Sequence, residues 1–238
     1  MDVEIRSPNR LLANLSSGNF ELLAQHLRTI ELVHAAELVE SGDDLVDAYF
    51  PHTGLISLVV RFTTGETTEI AMVGRESVFG ASAALGGSKA LSTAIVQLPG
   101  FCSAISIRRL REAAEQSGTL RGILVRHEQA IFVQAQQSAG CLASHPAIAR
   151  FARWLLRARD AAGTNELQFT QEFLSQMLGV KRNAVSQVSI VLQDRGLISV
   201  ARGRIVVVDA PSLEAMACEC YATVRDELEE LKRSTPPG

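Results

Sequence analysis

FTQEFLSQMLGVKRNAVSQVSIVLQDRGLISVARG, residues 169–203, decides how this chain is read. Phe173, Leu174, Met177 and Leu178 recur at helical spacing, and Thr170 stands where a hydroxyl N-cap would serve the Phe173 amide, without the glutamate of a capping box. Gly179 ends that helix. A second apolar series, Val185, Val188, Val191 and Leu192, begins after Lys181-Arg182 and runs to Asp194-Arg195-Gly196, where glycine supplies the closing left-handed residue. Residues 197–200, the turn Arg202-Gly203-Arg204 and residues 205–208 then read as strand, turn and strand. Helix, tight turn, helix and hairpin is the layout of a winged helix-turn-helix, whose second helix enters a DNA major groove.

Charge is concentrated in the same place. Between Leu178 and Arg204 there are five bases (Lys181, Arg182, Arg195, Arg202, Arg204) and one acid (Asp194), in a chain whose net charge is −3. Two cations in the first turn of a helix oppose its dipole by roughly 0.3–1 kcal/mol each. Such a cost makes sense opposite a phosphate; a solvated surface turn is the bland alternative.

Outward from this stretch, 238 residues with 47% apolar content bound one or two domains with real cores. The N-terminus MDVEIRSPNRLLANL carries no basic-then-apolar signal and no apolar run approaches a membrane span, so a cytoplasmic protein is expected. Cys102, Cys141, Cys218 and Cys220 form no CxxC pair and have no ligand-spaced histidine, which argues against zinc or a disulfide framework. Residues 10–28 read as one or two short helices. Short, turn-punctuated β segments follow at 30–33, 37–40, 48–51, 54–62, 67–73, 92–98 and 100–107, the spacing of a jelly-roll sandwich.

Residues 110–143 form the longest helical candidate, with a break near Ser117-Gly118. Its face Leu120, Ile123, Leu124, His127, Ala130, Ile131, Gln134, Gln137, Ser138 and Cys141 is narrow and partly polar, which suits a parallel helix pair; packing on its own β-roll is the other reading. Ser144-His145-Pro146 is the natural hinge. Residues 147–159 follow as an amphipathic helix with Trp154 as packing anchor, 160–165 as a loop and 166–169 as an edge strand of the wing. A single amphipathic helix is expected over 211–233, its stripe running from Leu213 through Met216, Ala217, Cys220, Val224 and Leu228 to Leu231. On one continuous helix the thiols of Cys218 and Cys220 point in different directions, which leaves them structural or incidental.

TQEFLSQMLGVKRNAVSQ, with LQDRGLI and RGRIVVVD after it, resembles the DNA-binding domain of the Crp/Fnr superfamily, the regulators related to the cyclic-AMP receptor protein. More weakly, the resemblance covers almost the whole chain. It implies an α+β protein: a β-roll sensor domain similar to cyclic-nucleotide-binding domains (1–115), a dimerisation helix (116–143), a winged helix-turn-helix (144–210) and a helical tail (211–238). It also implies double-stranded DNA, a second copy of the chain and RNA polymerase as partners, and no membrane. A signal in the β-roll would shift the long helix and hinge and re-space two recognition helices. Nothing points to an enzyme.

In family members an arginine-glutamate pair, then a glycine-arginine pair four residues on, contact bases. Here the matching positions are Arg182-Asn183 and Ser186-Gln187. Arg182 can take guanine bidentately, and Asn183 and Gln187 suit adenine. These four residues of recognition helix 181–193 are expected at base edges, with Lys181, Ser189, Arg202 and Arg204 near phosphates.

The effector is harder to read. In VFGASAALGGSKALSTAIV, residues 78–96, matching Gly80 to the family's glycine puts Ala81 where the ribose-binding glutamate belongs and Ser92-Thr93 where the phosphate-binding arginine-serine pair belongs. Lys89 is the cation nearby, a point charge rather than a bidentate clamp. This argues against cyclic AMP bound in the usual way, and leaves Gly80, Ala81, Ser82, Lys89, Ser92 and Thr93 as candidate effector-pocket residues for an unknown small molecule. Residues 1–40 hold no cysteine, so the iron–sulfur centre of the oxygen-sensing members is not expected. No HxH with a downstream carboxylate appears among the five scattered histidines, so neither a metal site nor a metal-dependent β-roll enzyme is expected; a haem held by one histidine stays open. The rival reading is a small-molecule-binding or protein-interaction β-roll protein whose helix-turn-helix does not read DNA.

Overall fold

The computed structural model describes residues 7–233, with side chains through residue 230. Two short helices, α1 (Arg10–Ala13) and α2 (Ser17–Ala24), precede strands β1 (Arg28–Leu32), β2 (Glu37–Val39), β3 (Asp47–Pro51), β4 (Leu55–Arg61) and β5 (Thr67–Val73). Then come the single turn α3 (Ala81–Ala84), β6 (Thr93–Leu98), β7 (Gly100–Ser106), α4 (Ile107–Gln116) and the long α5 (Gly118–Ser144). The C-terminal part is α6 (Ala147–Ala162), β8 (Glu166–Gln168), α7 (Gln171–Leu178), α8 (Arg182–Asp194), β9 (Ile198–Ala201), β10 (Arg204–Val207), α9 (Ala210–Met216) and α10 (Cys220–Arg233). The fold is the expected α+β arrangement of N-terminal β-roll, long helix and C-terminal winged helix-turn-helix.

Two antiparallel sheets make the roll, ordered β1-β7-β3 and β2-β6-β4-β5. β4 is buried along Leu55–Val59, on both of its faces. Ile56 and Leu58 point into the roll core with Ala71, Val73, Ala94 and Val96. Leu55 and Val59 point the other way and join Met72 and Leu98 in a core shared with α6 and the helix-turn-helix. The larger sheet is therefore the middle layer of the molecule.

A β-bulge at the β4–β5 register, where Leu58 pairs Ala71 but Val59 pairs Glu69, turns Glu69 onto the outer face beside Ser57. There its carboxylate accepts the Trp154 indole N–H at 2.7 Å and the Ser57 hydroxyl. Trp154 also packs edge-on against Phe169 (4.8 Å) and Phe173 (5.8 Å), geometry worth about 0.5–1.5 kcal/mol per pair beyond area burial. The tryptophan is the packing anchor expected of it, and the surface it anchors to is the larger sheet of the β-roll.

The long helix corrects one expectation. Leu120, Ile123, Leu124, His127, Ala130, Gln134, Ser138 and Cys141, read as a dimer seam, are buried inside their own chain. Gln134 Oε1 accepts the Met72 N–H at 3.2 Å while its Nε2 donates to the Met72 carbonyl at 3.4 Å, which satisfies the free edge of β5. His127 Nε2 accepts the Val78 N–H at 3.2 Å. Gln134 is polar because a sheet edge presents unpaired backbone groups to the helix, and His127 because it takes up the Val78 amide beyond that strand.

Two boundaries also differ. α6 extends through Ala162 because Gly163, with φ +72°, supplies the left-handed residue that closes it. The tail is two helices, not one. α9 buries Leu213 in the core shared with α6, and α10, starting afresh at Cys220, packs Val224 and Leu228 against Ala130 of α5 while its Tyr221 stays on α6 through Asp160. Leu231 lies outside the described side chains.

Burial pushes the Glu69 carboxyl from about 4.5 up to about 7, against the opposing pull of Ser57, Trp154, Arg153 and Arg157. Between these values the folded protein holds a proton that the unfolded chain has released. Stability from this group is therefore full below about pH 4.5 and is lost as pH rises to about 7, by on the order of 3 kcal/mol at most. Glu69→Gln keeps an acceptor for Trp154 and removes the titration. It should flatten the melting temperature across this window and raise it at pH 8; an unchanged pH profile in thermal melts would show that Glu69 does not couple the two layers.

Candidate nucleic-acid interface

Thr170 caps α7, its Oγ1 accepting the Phe173 N–H at 3.1 Å, and Gly179 ends it with φ +58°. Lys181 then opens α8. The apolar side of α8, Val185 and Leu192, enters the core under the hairpin, which leaves the other side to solvent. Lys181, Arg182, Asn183 and Gln187 are exposed there, and Ser186 is half-buried with its hydroxyl donating to Gln171 Oε1 at 3.1 Å. Ser189 departs from expectation: it is buried, and its hydroxyl donates to the Val185 carbonyl at 2.8 Å. Four residues past Val185 and three before Leu192, it shares their inward face and cannot reach a phosphate.

β8, β10 and β9 form the wing sheet in that order. Arg202, at its tip, and Lys181 have no acidic partner among the described residues. Arg204 reaches Glu166 at 3.2 Å and Arg182 approaches Glu172 at 3.8 Å, both pairs exposed. Exposed pairs of this kind are worth about 0–1 kcal/mol and are easily exchanged for a phosphate or a base. A cleft of about 740 Å³ separates the start of α8 from the β4–β5 turn, with Glu66 and Thr68 facing Lys181 and Arg182.

Residues 149–216 match the sequence model of the Crp-like helix-turn-helix domain. The chain carries a Crp-like helix-turn-helix domain.

Over most of its length the chain has the fold of Crp/Fnr regulators. FixK2 of Bradyrhizobium japonicum superposes with a TM-score of 0.70 at 16% identity, over 81% of this chain and 98% of that chain. A Crp/Fnr-family transcriptional regulator of Eubacterium rectale gives 0.65 at 18% identity, over 87% and 96%. The c-di-GMP-responsive global regulator CLP of Xanthomonas campestris gives 0.64 at 15% identity, over 81% and 99%. No curated protein matches the chain by sequence. Among the described residues no helix is long and apolar enough to cross a membrane.

The candidate effector residues of this Crp/Fnr fold lie on α3 and on the stretch entering β6. Gly80 has φ +96° and caps α3; a Cβ there would sit 3.1 Å from the Asp47 carbonyl oxygen, so a turn against the sheet explains this glycine. Ala81 is fully buried in the roll core, and Ser82 and Ser92 are half-buried. Lys89 Nζ lies 3.0 Å from Asp44, and Thr93 Oγ1 accepts the Ser41 N–H at 3.2 Å. From α4, Arg111 donates to the Ala83 and Gly87 carbonyls at 2.7 and 3.0 Å. The cation the sequence motif lacks is thus supplied to this loop from elsewhere in the fold, and is spent on backbone oxygens.

A second cluster is absent from the sequence reading altogether. The break between α9 and α10 brings Cys218 and Cys220 to the end of α5, where Cys141 and His145 stand. The expectation that the two tail thiols diverge, and with it the expectation of no grouped metal donors, is corrected: it assumed a helix that is interrupted at Ala217.

Gly179→Ala tests the turn that sets α7 against α8. At φ +58° an alanine is strained, and its Cβ would also meet Leu142 at 3.4 Å. A loss of about 1 kcal/mol in denaturant unfolding is expected; unchanged stability would mean that the turn relaxes at no cost.

Proposed function

We propose that the chain is a homodimeric, sequence-specific DNA-binding regulator in which α8 reads the major groove and the wing holds the backbone. The observation that supports this most directly is the division of α8: Val185, Ser189 and Leu192 face the core, and Arg182, Asn183 and Gln187 stand exposed beside Lys181. Guanine would meet Arg182 and adenine the two amides. Lys181, Arg202 and Arg204 would lie along phosphates.

Dimerisation belongs to the outward face of α5. Val125 and Phe132, seven residues apart, are 38% and 63% exposed, with Gln129, Gln136 and Ala139 along the same stripe. A sevenfold repeat on an unpaired helix face is the seam of a two-stranded coil. Two copies joined there would present their α8 helices to half-sites one DNA turn, about 34 Å, apart. RNA polymerase is the further partner that the Crp/Fnr fold suggests.

Regulation would run through the docking of the helix-turn-helix on β5. In this arrangement the start of α8 faces the β4–β5 turn across a cleft. A signal that loosens the Trp154–Glu69 contact would free the reading helix to approach DNA, and the β-roll residues around α3 are where an effector of unknown identity would act.

Arg182→Ala should weaken binding to a selected operator about 10- to 100-fold and relax preference at its own base pair, read by titration of duplexes varied at each position. Lys181→Ala or Arg202→Ala should weaken all duplexes alike and lower the salt slope by about one. Salt-independent binding would favour the rival in which the helix-turn-helix makes protein contacts. Phe132→Glu should yield a monomer in light scattering; a dimer that persists would place the seam elsewhere.

A further inference from the structure

The hinge carries an unassigned cluster of donors. Cys141 lies in the last turn of α5 and His145 caps that helix, while Cys218 lies in the link from α9 to α10 and Cys220 begins α10. The three thiols are buried and free of disulfide. Their sulfurs and the imidazole nitrogen all lie within 4.8 Å of one another. Cys141 Sγ is 3.5 Å from Cys218 Sγ, and Cys220 Sγ is 3.6 Å from His145 Nδ1.

These spacings match the edges of a coordination tetrahedron. With Zn–S near 2.3 Å and Zn–N near 2.0–2.1 Å, sulfurs around one zinc stand about 3.8 Å apart, and sulfur and nitrogen about 3.5 Å. A two-iron cluster seats its terminal ligands on separate metals and needs a wider cage. A disulfide would use two thiols and leave the third thiol and the imidazole without a purpose. His145 is also held as a ligand should be: Nδ1 faces the cluster, and Nε2 lies 3.1 Å from Glu219 Oε1, the carboxylate–histidine pairing that orients metal-binding imidazoles. His145 is partly exposed, so an ion has a way in.

We propose that Cys141, His145, Cys218 and Cys220 bind a tetrahedral zinc ion that fastens the end of α5 to the α9–α10 link. The ion would fix the hinge between the long helix and the helix-turn-helix, because two of its ligands belong to each side. This assignment stands on the four donors and does not depend on DNA being the partner.

The test uses the full chain purified under reductant. Elemental analysis should find stoichiometric zinc, and cobalt(II) exchanged into the protein should give thiolate charge-transfer bands with the intense visible bands of tetrahedral coordination. The double substitution Cys218→Ser/Cys220→Ser should abolish both signals, and Cys102→Ser should keep them. His145→Cys should retain the ion and shift the cobalt spectrum toward all-sulfur coordination, a response that a merely structural histidine would not give. Glu219→Gln should weaken zinc binding roughly 10- to 100-fold. A chain that takes up no cobalt, or whose zinc survives the double substitution in a protein with an unchanged circular-dichroism spectrum, would overturn the proposal.

Discussion

The structure depends on a sheet that is apolar on both faces. Ile56 and Leu58 fill the roll while Leu55 and Val59, one residue over, fill the core of the helix-turn-helix. Alternation along a strand ordinarily separates core from solvent; here it separates two cores. The C-terminal unit is thus bound to the β-roll by the same strand that organises it, and a change in β4 or β5 is felt on both sides.

Into that apolar layer the bulge at Ile70 introduces one carboxyl. A buried ionisable group is costly unless paired, and Glu69 meets only neutral donors at hydrogen-bond distance, Ser57 and Trp154. Its raised pKa follows from this. A contact of that kind is specific in geometry and modest in strength, which would suit the release of the helix-turn-helix proposed above. The hinge presents the opposite case. Cys141 and His145 meet Cys218 and Cys220 in a cage whose strength would come from metal bonds, so one end of the helix-turn-helix unit would be fastened while its other face stays on a titratable latch.

α5 shows how two demands share one helix. Its inward face answers a sheet edge with Gln134 and the Val78 amide with His127. Its outward face keeps Val125 and Phe132 at a heptad interval. A helical-wheel reading that asks only where polar residues interrupt an apolar stripe selects the face that is buried in the chain's own core, because a side-chain amide bonded to a strand edge and one placed in a coiled-coil seam look alike in one dimension.

Residues 169–208 were legible in the chain itself. Local signals suffice there: the Thr170 cap, left-handed Gly179 and Gly196, and the switch of apolar period from helix to strand determine α7, α8 and the wing without reference to the rest of the molecule. The β segments of the roll were legible for the same reason, from turn chemistry and alternation. Tertiary structure alone decided the rest. Ser189 faces inward because Val185 and Leu192 are drawn into a core shared with β4. The tail breaks at Ala217, and past the break α10 turns Val224 and Leu228 onto α5. That break joins Cys218 and Cys220 to Cys141, 77 residues earlier for the first pair, a proximity that no sequence spacing records. Short-range capping and periodicity are written in neighbouring residues; which surfaces meet depends on the packing of the whole chain.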